Sequence, residues 1–255
     1  MKVVLVILLV LALKSLSKDL PSSFMVCDHF GPNVNECLTK AINSALVQLR
    51  NGIPEIDVPS IEPLRSESNI TAAKGDVTFT LYNLTMHNVS NTIVTDLKSN
   101  ITRESFWLTA NFSAMDFTAI SNYSIHGQLL FFHLDSEGKA VVNFSEYRNI
   151  GISTHVTVFP LEETILRASM EGNVVNNRFR LHKLVLKSYP KWITVDLENI
   201  IRGQKKLSDD VNKVINDSWD ILFSEFEPEL DAIVGAIWLE YANNLMSYVP
   251  VLLDI

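Results

Sequence analysis

Cysteine is almost missing: the 255 residues hold two, Cys27 and Cys37. One bridge cannot staple a chain of this length, so stability must come from a hydrophobic core. The short motifs of catalysis are missing too. There is no G-x-S-x-G elbow, H-E-x-x-H, C-x-x-C, Gly-rich phosphate loop or EF-hand loop. The six histidines, at 29, 87, 126, 133, 155 and 182, show no i, i+4 pairing. His126 and His133 stand in strand-like text and read as sheet-surface residues. Ser153 and His155 are close, but alternate positions on one strand do not make a nucleophile–base pair. Arg202, Lys205 and Lys206 read as a solvated loop. These absences predict no enzyme, no metal and no cofactor. A net charge of −8 argues against a nucleic-acid partner. No run beyond the N-terminus is long and apolar enough to insert stably in a membrane. With no Pro/Gly/Ser linker and no repeat, one domain is expected.

The N-terminus has a different character. Lys2 precedes an apolar run from Val3 to Leu13, and Ser15 and Ser17 supply the small residues of a cleavage site. Residues 1–17 therefore read as a signal peptide, leaving 18–255 as the mature domain. Cleavage removes Lys2 and Lys14 and takes the net charge from −8 to −10. In the oxidising compartment this implies, Cys27 and Cys37 are expected to form a short-loop disulfide. Eight sequons agree with secretion: Asn69, Asn83, Asn88, Asn100, Asn111, Asn122, Asn143 and Asn216. They exceed what the Asn, Ser and Thr content would give by chance and suggest a heavily glycosylated extracellular protein.

The last fifth, Leu207 to Val249, organises the rest. Its large apolar residues fall at helical spacing, from Val211, Val214 and Ile215 through Trp219, Leu222 and Phe226 to Ile233, Ile237, Tyr241 and Leu245. Ser208 with Asp209 and Asp210 suits a helix start, and Pro250 a stop. An unbroken helix would be about 60 Å long, kinked at Pro228. Nine acidic residues against Lys213 alone make its polar face unlike that of a membrane-surface helix. The alternating charges that flank a coiled-coil seam are absent as well. The best cover for the apolar stripe is the protein's own sheet.

Upstream, Asn33–Arg50 reads as a helix with Asn33 and Glu36 as a capping box and Gly52 as its stop. Pro54, Pro59 and Pro63 make residues 52–64 an extended connector. From Ile70 to Tyr189 the period is two, the signature of an antiparallel sheet. Sequons assign faces, since a glycan cannot enter a core. Asn111 outward turns Phe106, Leu108 and Phe112 inward; Asn122 outward turns Ile125, Leu129 and Phe131 inward; Asn143 outward turns Val142 and Phe144 inward. Leu81 inward conflicts with Asn83 outward, so a β-bulge is expected there. Asp135–Gly138 reads as a hairpin turn. The fold class is α+β: a long C-terminal helix wrapped by a strongly curved antiparallel sheet, with a short N-terminal helix. Such a roll can leave an apolar channel beside its helix. Gly235 would allow either a ligand or a close-packed strand to approach.

Several stretches resemble the insect takeout and haemolymph juvenile-hormone-binding protein family. They are Cys27 with Cys37 and the helix after them, Gly52-Ile-Pro-Glu55, Ile61-Glu-Pro-Leu64, Leu207-Ser-Asp-Asp-Val-Asn212, Ile215-Asn-Asp-Ser-Trp219, Glu227-Pro228 and Val249-Pro250. Each is weak alone; together they cover the mature chain. The resemblance implies the tubular lipid-binding fold and a secreted, non-enzymatic carrier of juvenile hormone, another terpenoid or a fatty acyl lipid. It also carries the family's N-terminal disulfide onto Cys27 and Cys37. The second disulfide of some hormone carriers is absent, which places the chain nearer the takeout branch. Under this reading Phe79, Leu108, Phe112, Phe131 and Phe144 on the strands, with Trp219, Phe223 and Ile237 on the helix, line the tunnel. The alternative is a glycoprotein that acts through a receptor or another surface, with a vestigial tunnel.

Overall fold

Alternation along the middle of the chain becomes two antiparallel sheets. The structure, a computed structural model, describes residues 20–66, 68–114, 116–129, 132–144 and 164–251. The expected signal peptide, Phe131, and Ser153 with His155 lie outside the described residues. The first sheet contains β1 (Leu64–Arg65), β2 (Ile70–Lys74), β3 (Val77–His87), β6 (Phe117–Leu129), β7 (Phe132–Phe144) and β10 (Thr194–Leu197). It runs β1-β3-β6-β7-β10, with β2 also paired to β3. The second runs β4-β5-β8-β9, from β4 (Ile93–Ile101), β5 (Ser105–Ala114), β8 (Thr164–Val175) and β9 (Arg178–Tyr189). Three α-helices accompany them among the described residues: α1 (Val34–Gln48), α2 (Lys205–Asp217) and α3 (Trp219–Met246).

The strand faces follow the parity set by the sequons. On β5, Phe106, Leu108 and Ala110 are buried while Trp107 is 42% exposed. On the outer face Arg167 Nε donates to Asn111 Oδ1 at 3.2 Å. The β3–β6 register shifts between Tyr82 and Thr85, and Asn83 takes φ +52°. This bulge lets Leu84 turn into the core while Asn83 stays exposed.

Asp135–Gly138 is a correction, because it lies inside β7, with Asp135 opposite His126 and Gly138 opposite Tyr123. Glycine is needed there for approach, not turning: a Cβ would collide with the Glu198 carbonyl oxygen. The chain reverses instead between Leu129 and Phe132. The capping box is a second correction. Asn33 makes no side-chain cap, and Glu36 accepts from Lys40 Nζ at 2.6 Å. Gly52, with φ +73°, does end that helical run. The connector after it is less extended than its prolines suggest. It forms a 3-10 turn over Pro54–Ile56, and Ile53, Ile56, Val58 and Ile61 are all buried.

The C-terminal helix is two helices. It begins at Lys205, and Ser208 is buried rather than capping: its Oγ donates to Ile201 O and accepts from Ile201 N. The break falls at Ser218, at φ −120° and ψ 22°, while α3 continues through Pro228. Pro228 lies on an exposed stripe with Ser224, Ala232, Ala236, Glu240 and Asn244, so the carbonyl it leaves unpaired, on Ser224, faces water. The remaining faces of α3 meet three buried apolar groups. Leu222 and Phe226 pack on the group around Tyr123 and Leu197; Ile233 and Ile237 on that around Ile61 and Met86; Val234 and Leu239 on that around Leu108 and Leu186. Gly235 serves close packing, 3.3 Å from Leu184 O at its would-be Cβ.

The helices are attached to strand edges by amide side chains, which present the same donor and acceptor as a peptide group. Asn212 pairs with Leu197 through both its N–H and C=O, and Asn216 does the same with Val195. Asn243 of α3 pairs with Leu181 of β9. On α1, Asn43 Oδ1 accepts from Val94 N and Asn35 Oδ1 from Ser99 N, both on β4. Edge strands β4, β9 and β10 are thereby closed to further pairing at these positions.

Candidate functional site: the apolar interior

The inward faces of both sheets and three flanks of α3 form one apolar region. Five of the sequence-chosen residues meet in it. Phe79 of β3 stacks on Tyr123 at 5.8 Å. Phe144 of β7 meets Phe117 edge-on at 5.3 Å. Leu108 and Phe112 of β5 join the second sheet's group, and Ile237 joins the first sheet's. Trp219 and Phe223 stand apart among the described residues. Trp219 turns to Trp192, 5.7 Å away, near the α2–α3 break. Sequence reasoning overlooked Phe117, Val195 and Trp238 as lining residues. It marked Leu222 and Phe226 only as helix stripe, although their i, i+4 spacing carried the signal.

Burial in this region is uneven. Leu108, Tyr123 and Ile125 are buried, whereas Phe79, Leu81, Phe112, Phe117, Phe144, Phe226, Ile237 and Trp238 are half-buried. In a close-packed interior such side chains would be fully enclosed. The polar groups set among them are mostly satisfied. Tyr123 donates to Glu198 O at 2.9 Å, and burial, reinforced by Glu198 and Asp196, pushes its hydroxyl pKa up to about 12. Tyr241 donates to Pro59 O at 2.9 Å, and burial raises its pKa as well. Asp231, only 5% exposed, accepts from Ser188 N and Oγ at 3.2 and 2.7 Å, with Lys187 Nζ 3.5 Å away. Burial raises its carboxyl pKa against the opposing pull of Ser188 and Lys187. Near the end of α3 a cleft of about 440 Å³ opens between Val175, Phe179, Leu181, Arg180 and Asn243.

Cys27 and Cys37 are bonded. Among the described residues no cluster of His, Cys, Asp or Glu could hold a metal ion, and no helix is long and apolar enough to cross a membrane. Of the sequons, Asn69, Asn83, Asn100 and Asn122 are exposed, and Asn88, Asn111, Asn143 and Asn216 half-buried. Asn143 lies between Thr118 and Thr194 on the outer face of the first sheet.

Comparison with known proteins follows the same lines. The model of the haemolymph juvenile hormone binding protein family matches residues 4–252. The circadian clock-controlled protein daywake of Drosophila melanogaster is 23% identical over 222 residues, 84% of this chain and 81% of that protein. Daywake of Drosophila yakuba is 20% identical over the same length. The crystal structure of Epiphyas postvittana Takeout 1 superposes with a TM-score of 0.70 at 17% identity, covering 89% of this chain and 97% of that one. That likeness establishes the fold, and the match along nearly the whole chain establishes the family. The chain belongs to the haemolymph juvenile hormone binding protein family, whose members bind and carry hydrophobic ligands rather than catalyse reactions.

Proposed function

We propose that this protein is a secreted carrier that holds a terpenoid or fatty acyl lipid between its sheets and α3. The observation that carries the reading is the half-burial of inward aromatic and aliphatic side chains around a helix that is itself apolar on most of its circumference. Such a helix is expected to be fully enclosed. A greasy ligand supplies the missing contacts. Phe79, Leu108, Phe112, Phe144 and Ile237, with Phe117, Phe226 and Trp238, make the lining, and Trp219 and Phe223 mark one end. The driving force is desolvation, about 0.8 kcal/mol for each CH₂ buried. The apolar leader, the Cys27–Cys37 bridge and the exposed sequons support secretion. The test is organic extraction and mass spectrometry of the protein secreted from insect cells, with displacement of a fluorescent lipophile by fatty acids and terpenoids. Stoichiometric cargo or saturable uptake is expected; neither would overturn the reading.

A further inference from the structure

Among the described residues three buried side-chain polar atoms lack a hydrogen-bond partner: His29 Nδ1, Glu229 Oε2 and Asp231 Oδ2. Two of these do not suit a lipophile. Asp231 faces Lys187 at 3.5 Å, and an anionic oxygen calls for a cation that a lipid chain does not carry. Glu229 is only half-buried as a residue. His29 differs from both. It lies in the ten-residue span closed by Cys27–Cys37 and is 5% exposed. Asp28 Oδ1 accepts from Phe30 N at 3.0 Å, closing a tight turn around His29. The His29 ring then meets Phe179 of β9 edge-on at 5.0 Å, and Phe179 meets Phe106 of β5 at 4.9 Å. Phe106 and Phe179 share one apolar group with Leu108, Phe112 and Trp238. Phe179 also lines the open cleft at the end of α3.

We propose that His29 is the polar anchor of this interior: its Nδ1 accepts from the hydroxyl of a long-chain or terpenoid alcohol whose chain lies along Phe179, Phe106 and Phe112. The inference rests on the carrier reading and adds the chemistry of the ligand's polar end. An uncompensated ring nitrogen in apolar surroundings carries a cost that a ligand oxygen removes. Burial pushes the imidazole pKa down, although Asp28 pulls the other way. In a neutral imidazole Nδ1 is either donor or acceptor. A hydroxyl is both, so it satisfies either tautomer. An ether can satisfy only the donor form.

The test is displacement of N-phenyl-1-naphthylamine from the mature secreted protein by dodecan-1-ol and by its methyl ether. The alcohol is expected to compete at about tenfold lower concentration. In His29→Phe the two should compete equally while the naphthylamine still binds, and in His29→Gln, which keeps a donor and an acceptor, the preference should persist. A purely structural role would shift thermal unfolding without changing the alcohol-to-ether ratio. Equal competition in the wild type, or a preference surviving His29→Phe, would overturn the inference and leave the carrier reading intact. No uptake of the naphthylamine by the wild type would overturn both.

Discussion

Asp231 shows how one residue can both hold and tax the fold. Its Oδ1 receives the backbone N–H and the hydroxyl of Ser188, fixing α3 to β9 beside Gly235. Burial lifts its pKa above the ordinary 3.8. A carboxyl with a raised folded-state pKa stabilises below its unfolded value and loses that contribution as pH rises through the folded one. As pH rises the seat of α3 therefore comes to bear a buried charge. His29 tilts the opposite way: its pKa is lowered, so its contribution is complete above 6.5 and is lost as pH falls. Asp231→Asn keeps an oxygen for Ser188 and removes the charge. It should match or exceed the wild type in urea unfolding at pH 7 and compare less well at pH 4. Asp231→Ala strands Ser188 N and should cost about 1–3 kcal/mol. An Asn variant that compares better at pH 4 than at pH 7 would refute this account.

At the scale of elements, the helices matter as edge closures. Asn212 and Asn216, four residues apart on α2, meet Leu197 and Val195, two apart on β10. Helix and strand spacings coincide there, since four residues rise about 6 Å on a helix and two rise about 6.6 Å on a strand. One consequence concerns a sequon. Asn216 Nδ2 already donates to Val195 O and Asn212 O at 2.8 and 2.9 Å. A glycan at that nitrogen would prevent α2 from closing on β10, so glycopeptide mass spectrometry of the folded, secreted protein should find Asn216 unmodified. Occupancy there would contradict the pairing. Much of this layer was legible in the residues: alternation located the strands, and the parity conflict at Leu81 and Asn83 located the bulge. The failures share a cause. Gly138 resembles a turn glycine, and only the approach of Glu198 from outside its strand reveals otherwise. Ser218 carries no breaking signal, and Trp219, which the long stripe made an interior residue, stands at the first turn after the interruption and meets Trp192. His29 sits in a loop with no period at all, so nothing local pointed it at Phe179.

For the molecule as a whole, the question is whether the region between sheets and α3 is filled by side chains or by cargo. Substitution by something larger separates the two. In a close-packed core, extra volume costs about 1–3 kcal/mol. In a lined hollow it costs little and displaces the occupant. Ile237 suits the test, being half-buried on the inward side of α3 against the group that contains Ile61 and Met86. Ala236, its neighbour, lies on the exposed stripe of the same helix and controls for effects on α3 itself. If the interior is hollow, Ile237→Trp should unfold within about 0.5 kcal/mol of the wild type, the range of a tolerated substitution, and should take up fluorescent lipophile at least tenfold more weakly (about 1.4 kcal/mol). Ala236→Trp should leave both stability and uptake unchanged. A destabilised Ile237→Trp that still binds lipophile as the wild type does would mean the interior is solid there and any ligand sits elsewhere, with the cleft beside Phe179 as the next place to look.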